Sequence, residues 1–381
     1  MMNKIFYNPT TQYENTGDLL INKTLLSYLK KHGKIIVDDN NKPKRFVDEL
    51  LDDEDLRLSS ITKSDSLNYL VKYLMLNLIR SKKDTFRYFV VFVPGHFAKK
   101  GIANAIGSIK TLIKLVALKV LGCRLIRIGI SVGKYDKINA FIEALITRCY
   151  HSYAVRDQDS IINAKKYSFK TPQYFPDFAW GYNHTITNSR YDYYPFDNKK
   201  IIVMSFRANE VGLELENKFF QELLESLTTL LDSNIFREHK IVFCYQVDSD
   251  RSANLDLCNA LSLKFNSIEF FDSKLYLENA FHLYSSAEIV ITNRLHVLLL
   301  AIKGGTLSFP LIDEKVNGKI YNIMRDNDLL NLVLNIKDSS SDNQSKIVSN
   351  LKVKSLILSK LEEVIITNTE VIVNKIKLIF Q

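Results

Sequence analysis

The stretch from residue 288 to residue 316 constrains the fold more than any other part of this chain. It begins with an apolar run, Glu288 to Ile291, which has the length and branching of a buried parallel strand. The helix that follows is predicted to end at Gly304-Gly305, and a second short strand, Thr306 to Phe309, comes directly after it. A strand, a helix and a strand in so short a stretch predict an α/β protein with a parallel sheet.

Basic side chains stand at the start of that helix. Thr292 and Asn293 are good N-cap residues, which places Arg294 and His296 in the first turn. In open α/β sheets, ligands bind beyond the carboxyl ends of strands, where helix N-termini also attract anions. Lys315 lies a short loop away. The stretch therefore predicts an anion site, and the alternative is an exposed arginine beside a helix-capping histidine.

The same alternation of strands and helices recurs on both sides of residue 190, which predicts two Rossmann-like domains. In the first half, the predicted strands are Lys4–Tyr7, Tyr88–Val93, Cys123–Ile130 and Ser152–Val155, and the helices are Leu19–Lys31, Ser66–Ser81, Ala103–Leu121 and Lys137–Cys149. In the second half, the strands are Lys200–Phe206, Lys240–Tyr245, Ser267–Phe271 and Glu288–Ile291, and the helices are Leu213–Leu231, Asn254–Lys264 and Leu275–Ser286. Residues 38–64, which are acidic and polar, are predicted to be a surface excursion.

These patterns predict an N-terminal domain over residues 1–190, a C-terminal domain over residues 191–350, and a helical segment over residues 351–381. The linker between the domains is predicted near residues 185–198, where the chain is polar and aromatic. The helical segment is predicted to pack back on the first domain. Its lysines suggest peripheral contact with the inner membrane surface, and the alternative is a solvated helix face.

Composition narrows the classes of function. The chain has 381 residues, 46% of them apolar and 24% charged, as expected of a soluble globular protein of two domains. The formal charge of +9 fits anionic small substrates or an anionic membrane surface as readily as nucleic acid. Because no nucleic-acid-binding motif is present, we expect no nucleic-acid partner.

Cysteine usage and the N-terminus indicate a cytoplasmic protein. The four cysteines are scattered, without a C-x-x-C pair, which favours buried thiols in a reducing compartment. The segment at the N-terminus is too short and too polar for a signal peptide. No apolar stretch approaches the length of a membrane-spanning helix. The histidines are dispersed, so no metal site is expected.

The residues Asn293-Arg294-Leu295-His296, followed by the apolar helix, the paired glycines, the strand and Asp313-Glu314-Lys315-Val316, resemble the polysaccharide pyruvyl transferases. The signature of that family at this place is Ser-Arg-Leu-His with a lysine further on. Asn293 replaces the usual serine, and both are small capping residues.

Other segments match the family pattern in the same order along the chain. They are Asn15-x-Gly17-Asp18, Val155-Arg156-Asp157-x-x-Ser160, Pro176-Asp177-x-Ala179, Ser205-x-Arg207 and Gln246-x-x-x-Asp250. Pro94-Gly95-His96 departs from the glycine-rich loop that the family commonly has there, so His96 can equally be a functional or a packing residue. For Arg156, the alternative to a functional role is an ion pair with Asp157 or Asp159.

The resemblance implies a transferase with a GT-B-like fold, in which two Rossmann-like domains face each other across a cleft. It implies that the pyruvyl group of phosphoenolpyruvate moves to two hydroxyls of a sugar, forming a ketal and releasing phosphate. The sugar would belong to a cell-surface polysaccharide, such as a capsule, or to its lipid-linked precursor. Phosphoenolpyruvate is then a co-substrate, and no cofactor or metal is expected. The N-terminal domain would bind the acceptor and the C-terminal domain the donor.

This chemistry assigns roles to the matching residues. The donor carries a carboxylate and a phosphate, so the site needs fixed cations, and its methylene carbon must receive a proton. His296 is the natural general acid, whereas the base for the sugar hydroxyl stays open among His96, Asp18 and Asp177. The predicted catalytic residues are His296, Arg294 and Arg156, and the predicted substrate-binding residues are Lys315, Asn15, Gly17, Asp18, His96 and Arg207.

Two other functions fit parts of the pattern. A GT-B glycosyltransferase with a nucleotide-sugar donor would share the fold and the cationic strand ends. Such enzymes usually hold the donor with an acidic residue in the second domain, where this chain has Arg294 and His296. A sugar-binding or scaffold protein with a degenerate site would not need to retain all the basic residues.

Overall fold

The computed structural model describes residues 2–80, 85–184, 200–207 and 213–381. Its strands are β1 Met2–Asn8, β2 Lys34–Val37, β3 Leu56–Arg57, β4 Phe86–Phe92, β5 Gly95–Lys99, β6 Arg124–Tyr135, β7 Ser152–Val155, β8 Gln173–Tyr174, β9 Ile201–Ser205, β10 Lys240–Phe243, β11 Ile268–Phe270, β12 Ile289–Thr292, β13 Leu307–Ile312 and β14 Leu334–Asn335. Its α-helices are α1 Thr16–Leu29, α2 Lys44–Leu50, α3 Ser66–Ile79, α4 Ile102–Val120, α5 Lys137–Cys149, α6 Gln158–Lys166, α7 Leu213–Leu231, α8 Arg251–Ser262, α9 Leu277–Ser286, α10 Leu295–Lys303, α11 Gly318–Asp326, α12 Ser340–Lys352 and α13 Lys354–Phe380.

The chain forms two compact units. The first contains Met1–Tyr13, Asp18–Gly181 and Asn368–Gln381, and the second contains Glu14–Gly17 and Tyr182–Thr367. The second unit therefore includes a short segment from near the N-terminus of the chain. The predicted linker near residues 185–198 and the predicted domain boundary at residue 190 lie outside the described residues.

The first unit is built on a parallel sheet with the strand order β3-β2-β1-β4-β6-β7-β8, and β5 pairs with β6. Its central strands are almost continuous runs of apolar residues, and Phe89, Val90 and Val91 of β4 are fully buried. Such runs are expected where a parallel sheet is covered on both faces. Buried side chains of α3, α4 and α5 share one hydrophobic cluster with β1, β4 and β6, so these helices cover the same face.

The second unit has a separate parallel sheet with the order β11-β10-β9-β12-β13-β14. Its central strand β9 is buried along its whole length and lies between β10 and β12. Met204 of β9 is in register with Phe243 on one side and Ile291 on the other. Because the strands are parallel, their carboxyl ends meet at one edge of the sheet, which is where α/β folds bind ligands.

The end of the chain belongs to the core of the first unit. The Phe380 ring lies 5.2 Å from the His32 ring and 4.7 Å from the Phe89 ring, measured between centroids. Ile372 and Ile376 are fully buried, and the Thr369 hydroxyl donates to the Trp180 carbonyl at 3.1 Å. The last turns of α13 thus cover the sheet of the first unit.

The prediction of a surface excursion over residues 38–64 is wrong. That segment contains α2 and the strand β3, which adds to the sheet by pairing with β2 in the register Ile36 with Leu56. Phe46, Val47 and Leu50 form the buried face of α2. Three apolar positions on one helix face are enough to bury this segment, although acidic residues dominate its composition.

The helices predicted at Lys137–Cys149 and Leu213–Leu231 are confirmed to the residue. The four cysteines are buried free thiols, as the sequence predicts. Across the described ranges, each helix is either too short or too polar to cross a bilayer.

Candidate active site

Asn293 ties together two neighbouring strand ends of the second unit. Its side-chain oxygen accepts from the Arg207 backbone N–H at 2.7 Å, and its amide nitrogen donates to the Arg207 carbonyl at 2.9 Å. The sequence predicts Asn293 as a helix cap, but the N-cap position of α10 is Arg294, whose backbone N–H donates to the Thr292 hydroxyl at 2.9 Å. The amide side chain instead fixes Arg207, which follows β9, beside Arg294, which follows β12.

Arg294 is paired with a buried carboxylate. Its guanidinium donates to Asp250, the last residue of a short 3-10 turn, and Asp250 is only 1% exposed. Burial raises the pKa of Asp250, while Arg294 and Arg207 act in the opposite direction. The carboxylate of Asp250 is therefore influenced by the positive charges of both guanidinium groups.

The pKa of Arg207 reflects its burial and the charges of Arg294 and Asp250. Burial lowers its pKa, the like charge of Arg294 lowers it further, and Asp250 partly opposes both, so the pKa is about 10. A guanidinium with a pKa this far below its ordinary value is held in a poorly solvated, positively charged environment. An anion bound beside Arg207 and Arg294 would relieve the repulsion between them.

The cluster also contains two buried polar atoms that can still form hydrogen bonds, one on Arg294 and one on Asp250. Within the described part of the chain, Arg294 Nε is a buried donor without an acceptor, and Asp250 Oδ1 is a buried acceptor without a donor. Buried polar atoms are normally satisfied, and exceptions concentrate at sites that bind ligands. The Arg294 side chain can therefore hold Asp250 and still donate to a ligand.

His296 contacts Gly17. That glycine lies in the short segment Glu14–Gly17, which belongs to the second unit. A Cβ atom built on Gly17 would be 2.6 Å from Cγ of His296, so the imidazole rests directly on the Gly17 backbone. The Gly17 N–H donates to the Asn15 side chain at 2.9 Å, and the Thr16 hydroxyl donates to the Leu275 carbonyl at 2.8 Å. Asn15 and Gly17, predicted as substrate-binding, thus form the support of the imidazole.

Gly17→Ala should therefore impair catalysis by displacing His296, because the new methyl group would overlap the ring. We expect a drop in kcat of at least about tenfold, since small displacements of reacting groups are costly. Steady-state kinetics check this. Gly318→Ala is the matched control, because a Cβ at Gly318 meets nothing within 4 Å. Wild-type kcat in Gly17→Ala would contradict the supporting role.

Arg156 belongs to a buried network in the first unit. Its guanidinium forms an ion pair with Asp177 at 2.5 Å, and its Nε donates to the Ser131 hydroxyl at 2.7 Å. Ser131 in turn donates to Asp157 at 2.8 Å. The alternative that the sequence left open was a pair with Asp157 or Asp159, but Asp157 caps α6 and reaches Arg156 only through Ser131.

Arg156→Met should destabilise the fold by about 3–5 kcal/mol, because it leaves Asp177 buried without its partner. Urea unfolding measures the loss. Arg45→Met is the matched control, since it removes an exposed pair with Glu49 whose expected contribution is at most about 1 kcal/mol. Equal losses in the two variants would contradict the structural importance of the buried pair. The catalytic role of Arg156 stays a prediction.

His96 and Asp18 also lie in the first unit. His96 on β5 is the register partner of Ser131 on β6, and its exposed imidazole lies over Gly133, where a Cβ would be 2.6 Å from Nε2. Asp18 accepts from the Thr11 hydroxyl at 2.5 Å and from the Gln12 N–H at 3.2 Å, so it orders the loop before α1. His96 and Arg156 therefore adjoin the same serine.

Lys315 follows β13 at the ligand-facing edge of the second sheet. Its backbone N–H donates to Asp313 at 2.9 Å, and its side chain is exposed. The nine predicted site residues are thus divided between the two units. The second unit brings together Asn15, Gly17, Arg207, Arg294 and His296, with Lys315 at the same sheet edge, and the first unit holds Asp18, His96 and Arg156. Across the described ranges, no three His, Cys, Asp or Glu side chains are placed to hold a metal ion.

A family model described as polysaccharide pyruvyl transferase matches residues 15–311 of the chain. The chain belongs to the polysaccharide pyruvyl transferase family. The resemblance carried by the Asn293–His296 motif is thereby confirmed, and the protein is a transferase. A search of curated proteins finds no match to this pyruvyl transferase.

The structure is also similar to solved structures of other enzymes, which share its fold. It is similar to a UDP-GlcNAc 2-epimerase from Neisseria meningitidis bound to UDP-GlcNAc, with a TM-score of 0.55, 12% identity and coverage of 95% of this chain and 94% of that one. It is also similar to the UDP-GlcNAc 2-epimerase from Methanocaldococcus jannaschii, with a TM-score of 0.52, 15% identity and coverage of 91% and 92%. The predicted GT-B-like class of two Rossmann-like domains is confirmed.

Asp250 is the site residue whose role the sequence does not reveal in this pyruvyl transferase. It lies 44 positions from Arg294, so no local pattern predicts their pairing. A signal does exist in the segment Gln246-x-x-x-Asp250, which matches the family pattern after β10. Parallel strands β10, β9 and β12 are neighbours in the sheet, and that topology is what brings the two residues together.

Proposed function

We propose that this enzyme transfers the pyruvyl group of phosphoenolpyruvate to two hydroxyls of a sugar, forming a ketal and releasing phosphate. The sugar belongs to a cell-surface polysaccharide or to its lipid-linked precursor. The family membership supports the acceptor class, and one observation supports the donor: the positive charges of Arg207 and Arg294 lie close enough to influence each other in a poorly solvated place, and His296 comes two residues after Arg294.

The arginine cluster suits a donor with two anionic groups. Phosphoenolpyruvate carries a carboxylate and a phosphate, and planar guanidinium groups bind both by paired hydrogen bonds. Arg207 and Arg294 supply fixed positive charge in a poorly solvated place, where such charge binds anions strongly. Lys315, exposed at the same sheet edge, supplies a third, more flexible cation. We assign Arg294 as the main donor-binding residue.

His296 supplies the proton that starts the reaction. When the imidazolium donates its proton to the methylene carbon, that carbon becomes a methyl group and C2 becomes electrophilic. One sugar hydroxyl then attacks C2 and loses its proton to a base. The C–O bond to phosphate then breaks, the second hydroxyl attacks C2 to close the ketal, and the proton of that hydroxyl leaves with the phosphate. The departing phosphate gains negative charge as the C–O bond breaks, and the guanidinium groups of Arg207 and Arg294 can stabilise that charge.

The acceptor is assigned to the first unit. Of the three residues open as the base, Asp177 is occupied in a buried ion pair with Arg156, and Asp18 accepts two hydrogen bonds from its own loop. His96 is exposed on β5, and histidine is the side chain that most often serves as a general base. We therefore favour His96 as the base. Because phosphoenolpyruvate is a cytoplasmic metabolite, we place the reaction in the cytoplasm.

A phosphate-release assay tests the function. Purified enzyme is incubated with phosphoenolpyruvate or with UDP-sugars, each against a panel of free and lipid-linked oligosaccharides and each with an acceptor-free control. We expect acceptor-dependent phosphate release from phosphoenolpyruvate alone. Sugar transfer from a UDP-sugar, without turnover of phosphoenolpyruvate, would overturn the proposal in favour of a glycosyltransferase.

A further inference from the structure

Helix α4 exposes a continuous apolar stripe. Six apolar side chains recur at alternating spacings of four and three residues, which keeps them on one helix face. They are Ile102, Ile106, Ile109, Ile113, Val116 and Val120, and all six are exposed. Ile102 and Val120, at the two ends, are 73% and 81% exposed. The stripe runs the length of a 19-residue helix, or about 28 Å.

The neighbouring helices widen this stripe into a face. On α5, Ile138 and Phe141 are exposed, and on α3, Leu78 and Ile79 are exposed. A groove of about 420 Å³ between α3 and α4 is lined mainly by apolar side chains, Ile113 among them. Soluble monomers rarely expose contiguous apolar patches of this extent unless the patch binds a partner or a membrane.

The charges on this face are of one sign. Helices α3 and α4 contain no Asp or Glu, and the single acidic residue of α5, Glu143, is buried in pairs with Lys99 and Arg127. Lys110 and Lys119 of α4 are exposed beside the stripe. The acids at its edge, Asp65 and Asp136, cap the N-termini of α3 and α5, and Lys114 lies 3.8 Å from Asp65.

We propose that this face of the first unit, formed by α3, α4 and α5, docks on the surface of an anionic phospholipid bilayer. An amphipathic helix with a wide apolar side and flanking lysines lies in the plane of the bilayer interface, with its apolar residues among the acyl chains. Anionic headgroups complement Lys110 and Lys119. A second copy of the chain, meeting this face through two-fold symmetry, would bring lysines against lysines.

Vesicle co-sedimentation of the full chain tests the proposal. The probes are vesicles of phosphatidylcholine alone and of an equimolar mixture with phosphatidylglycerol, at low and high salt. We expect binding to the mixed vesicles that weakens as salt rises. Ile109→Glu/Ile113→Glu should reduce that binding by at least about tenfold. Lys110→Ala/Lys119→Ala should reduce binding to the mixed vesicles and leave binding to neutral vesicles unchanged.

Two further double variants test whether the loss of vesicle binding is specific to this face. Leu263→Glu/Leu356→Glu changes two exposed apolar residues of the second unit and should bind like the wild type. Ile102→Glu/Val120→Glu alters the two most exposed stripe positions and should repeat the loss without disturbing packing. Thermal unfolding confirms that each variant is folded.

Two outcomes would overturn the proposal. One is unchanged vesicle binding in both stripe variants. The other is a wild type that ignores vesicles and is dimeric by light scattering while Ile109→Glu/Ile113→Glu is monomeric, which would assign the face to a second copy. Neither outcome depends on the donor or the acceptor, so this test and that of the pyruvyl transfer fail independently.

Discussion

Arg294→Ala should abolish pyruvyl transfer and weaken phosphoenolpyruvate binding by at least about 30-fold. Losing a charged hydrogen bond to a poorly solvated anion costs about 2–5 kcal/mol, and each 1.4 kcal/mol is about a factor of ten in affinity. Arg294 is placed for this role because its guanidinium keeps a buried donor atom beyond those that hold Asp250. Isothermal titration with phosphoenolpyruvate measures the change.

A second variant separates binding from folding. Arg294→Ala alone leaves Asp250 buried without its main partner, which should also cost about 3–5 kcal/mol of stability. Arg294→Ala/Asp250→Asn removes the orphaned charge and should regain much of that stability without regaining affinity for the donor. If the double variant binds phosphoenolpyruvate as tightly as the wild type, Arg294 is not the donor-binding residue.

His296→Gln should lower kcat by about 10²–10⁴-fold, the usual cost of losing a general acid, with donor affinity nearly intact. Glutamine keeps hydrogen-bonding capacity but delivers no proton at neutral pH. A general acid works only while protonated, so the wild-type profile should have an alkaline limb along which kcat falls as pH rises. The variant should lack that alkaline limb.

The kcat–pH profiles of the two proteins decide this prediction. His282→Gln is the matched control, because His282 lies on α9 of the same unit and its ring contacts His184 and Phe281 rather than Gly17. The control should reproduce the wild-type profile. An alkaline limb that persists unchanged in His296→Gln would assign the acid to another residue.

Much of the fold follows from local sequence. Residues 201–204 and 289–291 are apolar throughout, and only a strand covered on both faces suits them. Their alternation with amphipathic helices then dictates parallel pairing, since consecutive parallel strands require a crossover. The segment around α2 was missed because three buried apolar residues carry little weight against an acidic composition.

The geometry of the site is harder to predict from local sequence than the fold is, because it depends on contacts between distant segments. The motif Asn293–His296 shows that a basic group follows a strand. It does not show that Asn293 would bind the backbone of Arg207, or that Asp250 would pair with Arg294. The short segment Glu14–Gly17 joins the second unit, which sequence order alone does not suggest. The contacts among Asn293, Arg207, Asp250 and Arg294 follow from the strand order β10-β9-β12, which is set by packing of the whole sheet.

The proposed reaction protonates the methylene carbon of phosphoenolpyruvate and leaves the sugar with a pyruvyl ketal. The most direct measurement is the reaction in D₂O with ¹³C-labelled phosphoenolpyruvate and the accepted oligosaccharide, followed by mass spectrometry and NMR of the product. We expect an oligosaccharide heavier by one labelled pyruvyl ketal, whose methyl group carries one deuterium from solvent. An oligosaccharide that gains no labelled carbon, or a labelled ketal whose methyl group carries no deuterium, would contradict the proposed reaction.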